Sequence, residues 1–386
     1  MIVARHALPF RGGKTEGVEK FMKEWSKKSE FNSFNSWKGL LYADWYRAVV
    51  RGEFLPPVEA SLDPIHQCNL LCEHCNAHRY LVDEQLKKRR MADDHLLNLV
   101  AFLGAWGVKA ICFGGGGEPT LHTKLAEAID RTTAAGMEAS VATNGTLFND
   151  RLIDALLSCR WVGISIDAAT AATYKIGRSK DLFSTAISNM AALVKKIEKA
   201  AARCDVAYKF LIFDYNEHEI YDACRLAKEI GVRDFHARPA DFSHQGMGNK
   251  KKPTNYHINL VSEQFEKCHE LEDEDFRVFT VMHKFDDQLQ PRKDFSKCYA
   301  APLCIQLCAD GNVYFCPDTR HNDKFLLGRH DPDPEKILEI WGKDHHRKLV
   351  FGDTPDICRT RCTFAPYNRQ CEEQFTGKDP MCWRFI

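Results

Sequence analysis

Short apolar runs alternate with helical stretches between residues 58 and 240, and this alternation constrains the fold more than any other feature. The runs that predict strands cover residues 58–62, 110–113, 138–142, 161–166, 206–213 and 234–238. Between them, apolar residues recur at the three- and four-residue spacing of a helix face. Strands that alternate with helices predict right-handed βαβ units and a parallel sheet. Because six units are fewer than the eight of a closed barrel, we predict an α/β fold with a partial (β/α)6 TIM-like barrel.

Four segments are predicted along the chain. Residues 1–57 form an N-terminal extension that is aromatic and mainly helical, 58–245 the partial barrel, 246–290 a bridge, and 291–386 a cysteine-rich C-terminal domain. Two interpretations of the extension stay open: a helical segment that packs its aromatic face on the barrel, or a lid or partner-docking element. Since the cysteine-rich domain lacks long apolar runs, we expect its fold to depend on bound metal.

Charge and hydropathy exclude several classes of partner. Lys+Arg and Asp+Glu number 53 each, so no global field attracts nucleic acid or an anionic membrane. No run approaches the roughly 20 apolar residues that span a bilayer, and residues 1–11 lack the apolar core of a signal peptide. We therefore expect a cytoplasmic protein with no nucleic-acid or membrane partner. Because the cytosol keeps thiols reduced, the 16 cysteines favour metal or cluster ligation over disulfides.

Three cysteines, Cys68, Cys72 and Cys75, lie in one turn-sized segment after the first predicted strand. A structural zinc site closes its tetrahedron with four protein ligands, whereas a catalytic metal keeps one position open. Three thiolates in a single loop suit an iron–sulfur cube that leaves one iron without a protein ligand. The alternative is a zinc site that a neighbouring histidine, His66, His74 or His78, completes.

Unusual sequences follow the other predicted strands. The second strand leads into "GGGGEPT", the third into "ATNGT", and the fourth ends in "ISID". In parallel α/β folds the carboxyl ends of the strands share one edge, where ligands collect. We therefore expect these sequences and the three-cysteine loop to meet. A phosphate-binding loop is the rival interpretation of the glycine run, but no "GK[ST]" follows it.

Together these motifs resemble the radical S-adenosylmethionine superfamily, whose signature is three cysteines at this spacing with an aromatic residue before the third. His74 takes the aromatic position here, which is a departure. The resemblance covers roughly residues 58–240. It implies that Cys68, Cys72 and Cys75 hold a 4Fe–4S cluster, whose open iron binds the amino and carboxylate groups of S-adenosylmethionine. Reductive cleavage then gives a 5′-deoxyadenosyl radical that abstracts hydrogen from a substrate.

The same resemblance implies a set of S-adenosylmethionine-binding residues. Glu118 is expected to pair with the ammonium group, its alternative role being a helix N-terminal residue; Arg178 is expected on the methionyl carboxylate. Lys209 would bind the cosubstrate or the substrate, or form a structural salt bridge. No catalytic residue is predicted. The full set is His74, Gly115, Gly116, Gly117, Glu118, Asn144, Ser165, Asp167, Arg178 and Lys209.

The C-terminal cysteines resemble the SPASM and Twitch auxiliary cluster domains of the same superfamily. Asp310 and Gly311 in "CADGNVYFC" predict a hairpin turn, and Cys308 is expected to be structural. One solution is two clusters, from Cys298, Cys304 and Cys316 and from Cys358, Cys362, Cys371 and Cys382. The other is a single Twitch-type cluster on Cys298, Cys316, Cys358 and Cys362. A structural zinc domain is the third interpretation.

The resemblance predicts a radical S-adenosylmethionine enzyme, an oxidoreductase or another radical-based modifying enzyme, with one or two auxiliary iron–sulfur clusters. A small polar or carbohydrate-like substrate is favoured, because residues 1–57 look too short for a leader-peptide module. The alternatives are a SPASM maturase of a ribosomally made peptide or protein, and a non-catalytic metal-binding interaction protein. The expected partners are the substrate and an electron donor such as flavodoxin or ferredoxin.

Overall fold

The computed structural model describes residues 36–72, 74–240, 256–281, 295–358 and 362–376. Its strands form one sheet in the order β10-β9-β8-β1-β2-β3-β4-β5-β6-β7. Neighbours from β1 to β7 are all parallel. The strands are β1 (Glu59–Leu62), β2 (Ala110–Phe113), β3 (Glu138–Thr143), β4 (Trp161–Ser165), β5 (Asp205–Ile212), β6 (Asp234–Pro239), β7 (Arg277–Thr280), β8 (Cys304–Leu307), β9 (Asn312–Tyr314) and β10 (Leu326–Arg329). The predicted α/β fold with a partial barrel is confirmed.

Helices connect the parallel strands, as the three- and four-residue apolar spacing predicts. Two of them, α3 and α8, end at Gly107 and Gly231, whose left-handed backbone closes the last turn. The helices are α1 (Ala43–Val50), α2 (His78–Val82), α3 (Asp93–Trp106), α4 (Leu125–Ala134), α5 (Asp150–Leu156), α6 (Ala171–Arg178), α7 (Phe183–Ala200), α8 (Ile220–Ile230), α9 (Ile258–Glu270), α10 (Ile337–Ile340), α11 (Asp344–Phe351), α12 (Thr354–Ile357) and α13 (Ala365–Phe375).

The core lies between the central strands and the helices that cover them. Ile111, Phe113, Val141, Val162 and Ile164 are all buried, and they belong to one continuous cluster with helix residues. Burial of each such side chain contributes about 1.5–3 kcal/mol. This rigid layer fixes the positions of the loops at the carboxyl edge of the sheet.

The C-terminal segment extends the sheet beyond β1. Strand β8 pairs with β1 in parallel, with Leu307 opposite Leu62, and β9 and β10 continue the sheet in antiparallel pairing. The turn between β8 and β9 contains Gly311 with a φ of 83°, as the predicted hairpin requires. Residues that follow β8 therefore lie beside the residues that follow β1.

The described part of the N-terminal extension packs on the C-terminal helix. Tyr46 on α1 is buried, with its ring 5.3 Å from that of Phe375 on α13. Trp45 donates a hydrogen bond to the Pro56 carbonyl at 2.6 Å. Residues 1–35 lie outside the described part of the chain. No described helix combines the length and apolarity that crossing a membrane requires.

Candidate functional site

The three-cysteine loop connects β1 to α2 at the carboxyl edge of the sheet, and each of its sulfurs accepts an N–H hydrogen bond. The Leu70 amide donates to Cys68 at 3.4 Å, and the Ala77 amide donates to Cys75 at 3.4 Å. The guanidinium of Arg178 donates to Cys72 at 3.7 Å. Hydrogen bonds to sulfur stabilise the thiolate and tune the potential of a bound cluster. These donors therefore offset part of the cost of a thiolate in this loop.

The same loop fits a metal cluster better than free thiols. Burial raises the pKa of the Cys68 thiol to about 12; Glu118, Cys72 and Cys75 add to this, and the Leu70 amide opposes it. A thiol with this pKa stays protonated at neutral pH, whereas a coordinating metal deprotonates it outright. Three thiols with N–H donors and a shared loop form the ligand set that iron–sulfur clusters use.

The glycine run after β2 packs directly on the chain just before Cys68. A Cβ on Gly117 would lie 2.3 Å from the Gln67 carbonyl and 2.7 Å from that of Ile65. The amide of Glu118 donates to the Gln67 carbonyl at 2.8 Å. Gly115 has a φ of 96°, and a Cβ there would meet Asp63. Only glycine allows these two loops to approach so closely.

Glu118 anchors the third strand's loop. Its carboxylate is buried and accepts hydrogen bonds from the Thr143 hydroxyl at 2.6 Å and from the backbone amide of Asn144 at 2.8 Å. It also accepts from the amide and hydroxyl of Thr120, the second residue of the turn that Pro119 begins. Burial raises the pKa of Glu118, although these hydrogen bonds oppose the shift. The structure thus uses Glu118 in the capping role that the sequence offered as its alternative.

Asn144 links the third strand's loop to the cysteine loop. Its amide nitrogen donates to the Asn69 side chain at 2.8 Å, and Asn69 donates in turn to Thr146 at 2.8 Å. The Asn144 side-chain oxygen accepts from the Thr146 amide at 2.9 Å. Sequence reasoning missed Asn69, although its position next to Cys68 was a signal.

Asp167, Arg178 and His74 form one buried polar group. Arg178 donates to the Asp167 carboxylate, and His74 Nε2 lies 3.3 Å from the same oxygen. The other Asp167 oxygen accepts from the Leu211 amide at 2.7 Å. The His74 ring also packs on Phe213, with centroids 4.7 Å apart. Arg178, which is expected on the methionyl carboxylate, is therefore paired with another residue of the predicted set, Asp167.

Charge pairing sets the ionisation of this group. Burial alone would raise the pKa of Asp167, but Arg178 and His74 outweigh it, so the pKa is lowered. Burial opposes the charge of Arg178 as well, yet Asp167 and Cys72 raise its pKa. The backbone of Asp167 has a φ of 61°, and its carbonyl accepts from the Asn216 side chain at 2.8 Å. Both groups are held charged in a fixed geometry.

Ser165 and Lys209 are opposite each other in the pairing of β4 with β5. Lys209 is half-buried, and its ammonium lies 5.9 Å from the centre of the Trp161 ring. Burial, together with nearby Arg238, lowers the pKa of Lys209 to about 8. Lys209 lies at the edge of the site, and near neutral pH its ammonium group is thus close to the pH at which it loses its proton.

The C-terminal cysteines fall into two places. Burial, Asp318, Cys358 and Cys362 raise the pKa of Cys316, and burial, Glu59 and Cys316 raise that of Cys304. Such mutual effects require short separations, so Cys304, Cys316, Cys358 and Cys362 share one region. Cys298 is buried, and its backbone amide donates a hydrogen bond to the Val350 carbonyl.

Cys371 lies on the C-terminal helix α13. It is fully buried, and it contributes to raising the pKa of Tyr46 and of Tyr299. Cys382 lies outside the described residues. The tail ligand set predicted with Cys371 and Cys382 therefore stays a prediction.

A further polar group at the carboxyl edge was not predicted. Asp63 after β1, Cys308 after β8 and His321 after β9 offer ligand atoms that lie within 4.8 Å of one another. Arg320 pairs with Asp63 at 3.1 Å. Only the pairing of β8 with β1 brings these residues together, so no local sequence signal could have found them.

Several known proteins are similar in sequence to this chain. The radical SAM superfamily model matches residues 62–227. An S-adenosylmethionine-dependent nucleotide dehydratase of Flammeovirga pacifica is 34% identical over 115 residues, 29% of this chain and 39% of that protein. The antilisterial bacteriocin subtilosin biosynthesis protein AlbA of Bacillus subtilis is 25% identical over 332 residues. The alignment with AlbA covers 83% of this chain and 68% of AlbA.

Solved structures show the same fold. Streptococcus suis SuiB bound to S-adenosylmethionine superposes with a TM-score of 0.59 at 14% identity, over 86% of this chain and 77% of SuiB. The chain thus spans most of SuiB and about two fifths of the dehydratase.

Proposed function

Since the chain belongs to the radical S-adenosylmethionine superfamily, we propose that it is an enzyme that forms a substrate radical at the carboxyl edge of its sheet. The observation that carries this proposal is the three-cysteine loop, in which every sulfur accepts an N–H hydrogen bond. When bound there, a 4Fe–4S cluster supplies the electron that cleaves S-adenosylmethionine to the radical that abstracts hydrogen.

The protein's own residues hold and orient these groups. In this proposal Cys68, Cys72 and Cys75 are the cluster ligands. Arg178 donates one guanidinium N–H to Cys72 and another to Asp167, and it thereby fixes the position of Cys72 relative to Asp167. Glu118 keeps the loops of β2 and β3 together beside the cluster. The remaining predicted S-adenosylmethionine contacts are His74, Gly115, Gly116, Gly117, Asn144, Ser165 and Lys209.

A peptide is the substrate class that we propose first. AlbA aligns over 83% of this chain, well beyond the length of residues 62–227 that the family model matches, and its name states a role in bacteriocin biosynthesis. The sequence alone favoured a small polar molecule. The long alignment supports the alternative, because it extends beyond the part of the chain that binds S-adenosylmethionine in this family.

A small anionic substrate is the second candidate, and the charges at the late strand ends favour it. Lys209 on β5 and Arg238 on β6 lie near enough for Arg238 to lower the pKa of Lys209. Two adjacent cations at the carboxyl edge suit a carboxylate or phosphate group. Relatives that bind nucleotides, such as the dehydratase, are consistent with this class.

We also propose a cytoplasmic location, with an electron-transfer protein such as flavodoxin or ferredoxin as partner, and no nucleic-acid or membrane partner. The surface over the cluster loop supports a docking role, since Leu71 and Ile176 are 44% and 61% exposed there. Lys180 lies on the same surface and donates to the Asn69 carbonyl at 2.6 Å. Auxiliary clusters on the C-terminal cysteines would accept an electron from the substrate radical.

The test of the activity is anaerobic incubation of cluster-loaded protein with reductant and S-adenosylmethionine. We expect 5′-deoxyadenosine to form, and Cys72→Ala to abolish it. Cys204→Ala is the matched control, because Cys204 is a buried thiol just before β5, at the opposite edge of the sheet. Absence of product from fully loaded wild-type protein, with and without a cell extract as substrate source, would contradict the proposal.

The two substrate classes are separated by isotope transfer. Cell extract from a deuterated culture is filtered into peptide and small-metabolite fractions, and each is added to the reaction. Deuterium in 5′-deoxyadenosine from the peptide fraction alone supports a peptide substrate. Deuterium from the small-metabolite fraction alone supports the anionic candidate instead.

A further inference from the structure

A second ligand-binding position lies at the carboxyl edge, where β1 and β8 are neighbours. Asp63 follows β1, Cys308 follows β8, and His321 follows the hairpin strand β9. Their ligand atoms lie within 4.8 Å of one another. We propose that Asp63, Cys308 and His321 form a mononuclear site for a divalent cation, and that Zn²⁺ is the cation that this ligand set suits.

Unsatisfied buried atoms point into this position. Asp63 is 0% exposed and the His321 side chain 5% exposed. Within the described residues, neither Asp63 Oδ1 nor His321 Nε2 has a hydrogen-bond partner. Buried carboxylate and imidazole atoms without partners carry a large desolvation cost. A cation between them removes that cost, and it explains why two such atoms occur in one place.

The histidine is oriented as metal-binding histidines are. His321 Nδ1 lies 3.3 Å from the Asp310 carboxylate, so Nε2 is the nitrogen left for a metal. Carboxylate partners of this kind fix the tautomer and the ring direction of metal ligands. The Tyr80 ring packs on the His321 ring, with centroids 3.7 Å apart. The imidazole therefore has one orientation before any ion binds.

The Cys308 sulfur lies beside the Asp63 carboxylate, on the side of Oδ2, the oxygen that also pairs with Arg320. Cys308 Sγ lies 3.7 Å from Asp63 Oδ2, and the Gln306 side chain donates to the same sulfur at 3.4 Å. Zinc bonds of about 2.0–2.3 Å separate tetrahedral ligand atoms by about 3.5 Å. A Cβ on Gly115 would lie 2.0 Å from Asp63 Oδ1. The same Cβ would lie 2.2 Å from Arg320 Nη1, so glycine at this position leaves room for both the carboxylate oxygen and the guanidinium.

The local charges are balanced with a divalent ion present. Arg320 neutralises Asp63 by donating to Oδ2 at 3.1 Å. The Cys308 thiolate and the two carboxylates, Asp63 and Asp310, offset a divalent cation together with Arg320. A mixed oxygen, sulfur and nitrogen set suits Zn²⁺, which is a borderline-soft ion.

Three protein ligands leave the fourth position open, as in catalytic zinc sites. His66 stands beside it: its ring lies 4.8 Å from that of His321, and its Nε2 has no hydrogen-bond partner within the described residues. The open position would take water or a heteroatom of the substrate. This site is separate from all the cysteines predicted to bind clusters, and it does not depend on the proposed radical chemistry.

The test uses the full chain with its iron–sulfur clusters reconstituted, so that cluster cysteines are occupied. The protein is incubated with Zn²⁺, desalted, and analysed for zinc by mass spectrometry. We expect about one zinc per chain, and a loss of about tenfold or more in zinc retention in Cys308→Ser and in His321→Ala. Cys204→Ser and His218→Ala are the matched controls and should retain wild-type zinc. Wild-type protein without zinc, or variants with wild-type zinc, would overturn the proposal.

A second measurement needs no variant. Zinc-edge X-ray absorption of the wild-type protein should show one sulfur at about 2.3 Å and nitrogen or oxygen neighbours at about 2.0–2.2 Å. A shell of three or four sulfurs would mean that zinc had entered a cysteine cluster site, and the assignment would then be wrong.

Discussion

The charge of Arg178 depends on a single carboxylate. Its guanidinium is buried between the Cys72 sulfur and Asp167, and Asp167 is equally buried. Removal of one partner from a buried pair leaves an uncompensated charge, which costs about 3–5 kcal/mol. The pair therefore links the stability of the barrel to the orientation of Cys72, a proposed cluster ligand.

Asp167→Asn should lower the free energy of unfolding by about 3 kcal/mol, because Arg178 then stays buried without a countercharge. Asp130→Asn is the control, since Asp130 pairs with Arg151 on the surface and should cost less than about 1 kcal/mol. Urea denaturation followed by circular dichroism measures both. Equal stability of the two variants would show that Asp167 does not neutralise Arg178.

Lys209 should titrate with a pKa of about 8, because burial and Arg238 disfavour its charge. The folded state loses this proton at a lower pH than the unfolded state does. Between pH 8 and the ordinary lysine pKa of 10.5, the free energy of unfolding therefore rises with pH. Carbon-13 NMR of reductively methylated lysines gives the titration midpoint, and the signal that Lys209→Met removes is assigned to Lys209. A midpoint near 10.5 would contradict the placement of this side chain.

At the scale of elements, the loops that follow β1 and β2 form one unit. The glycine run lies against the backbone of Ile65 and Gln67, and Glu118 bonds both to that backbone and to the loop after β3. A change in any of these loops therefore moves the cysteines that follow Gln67.

Gly117→Ala should displace the cysteine loop, since a methyl group would lie 2.3 Å from the Gln67 carbonyl. We expect loss of the iron held by Cys68, Cys72 and Cys75, measured as iron per chain after reconstitution. Gly136→Ala is the control: it adds a methyl group in open space at a φ of 79°, so it should cost only about 1 kcal/mol and keep its iron. Normal iron in Gly117→Ala would show that the loops can separate freely.

At the scale of the whole molecule, the C-terminal segment completes the site from the other side of β1. Strand β8 occupies the edge of β1 that β2 leaves open, and the hairpin of β9 and β10 extends the sheet. This arrangement places the region of Cys304 and Cys316 next to the barrel. The electron path proposed between substrate and auxiliary cluster depends on that pairing.

Cys316→Ser should remove one auxiliary cluster, about four irons per chain, because Cys304, Cys358 and Cys362 lie around this thiol. Iron analysis and Mössbauer spectroscopy measure the loss, and Cys204→Ser serves as the control. Unchanged iron in Cys316→Ser would remove this thiol from the ligand set. In wild-type protein, about eight irons would indicate one auxiliary cluster and about twelve would indicate two.

The sequence by itself determined the features that depend on neighbouring residues. The apolar run at 110–113 has the bounds of β2, the three-cysteine loop follows β1 as predicted, and Asp310 and Gly311 form the predicted turn. Periodicity, turn chemistry and ligand spacing are local properties, so they can be read along the chain.

Tertiary structure decided which distant residues meet. The pairing of Leu62 with Leu307 joins segments more than two hundred residues apart, and it alone brings Asp63 to Cys308 and His321. Likewise, the partners of Asp167 are a histidine from the cysteine loop and an arginine from α6. Such contacts depend on strand order and on the competition of buried charges for partners, neither of which leaves a pattern in the sequence around each residue.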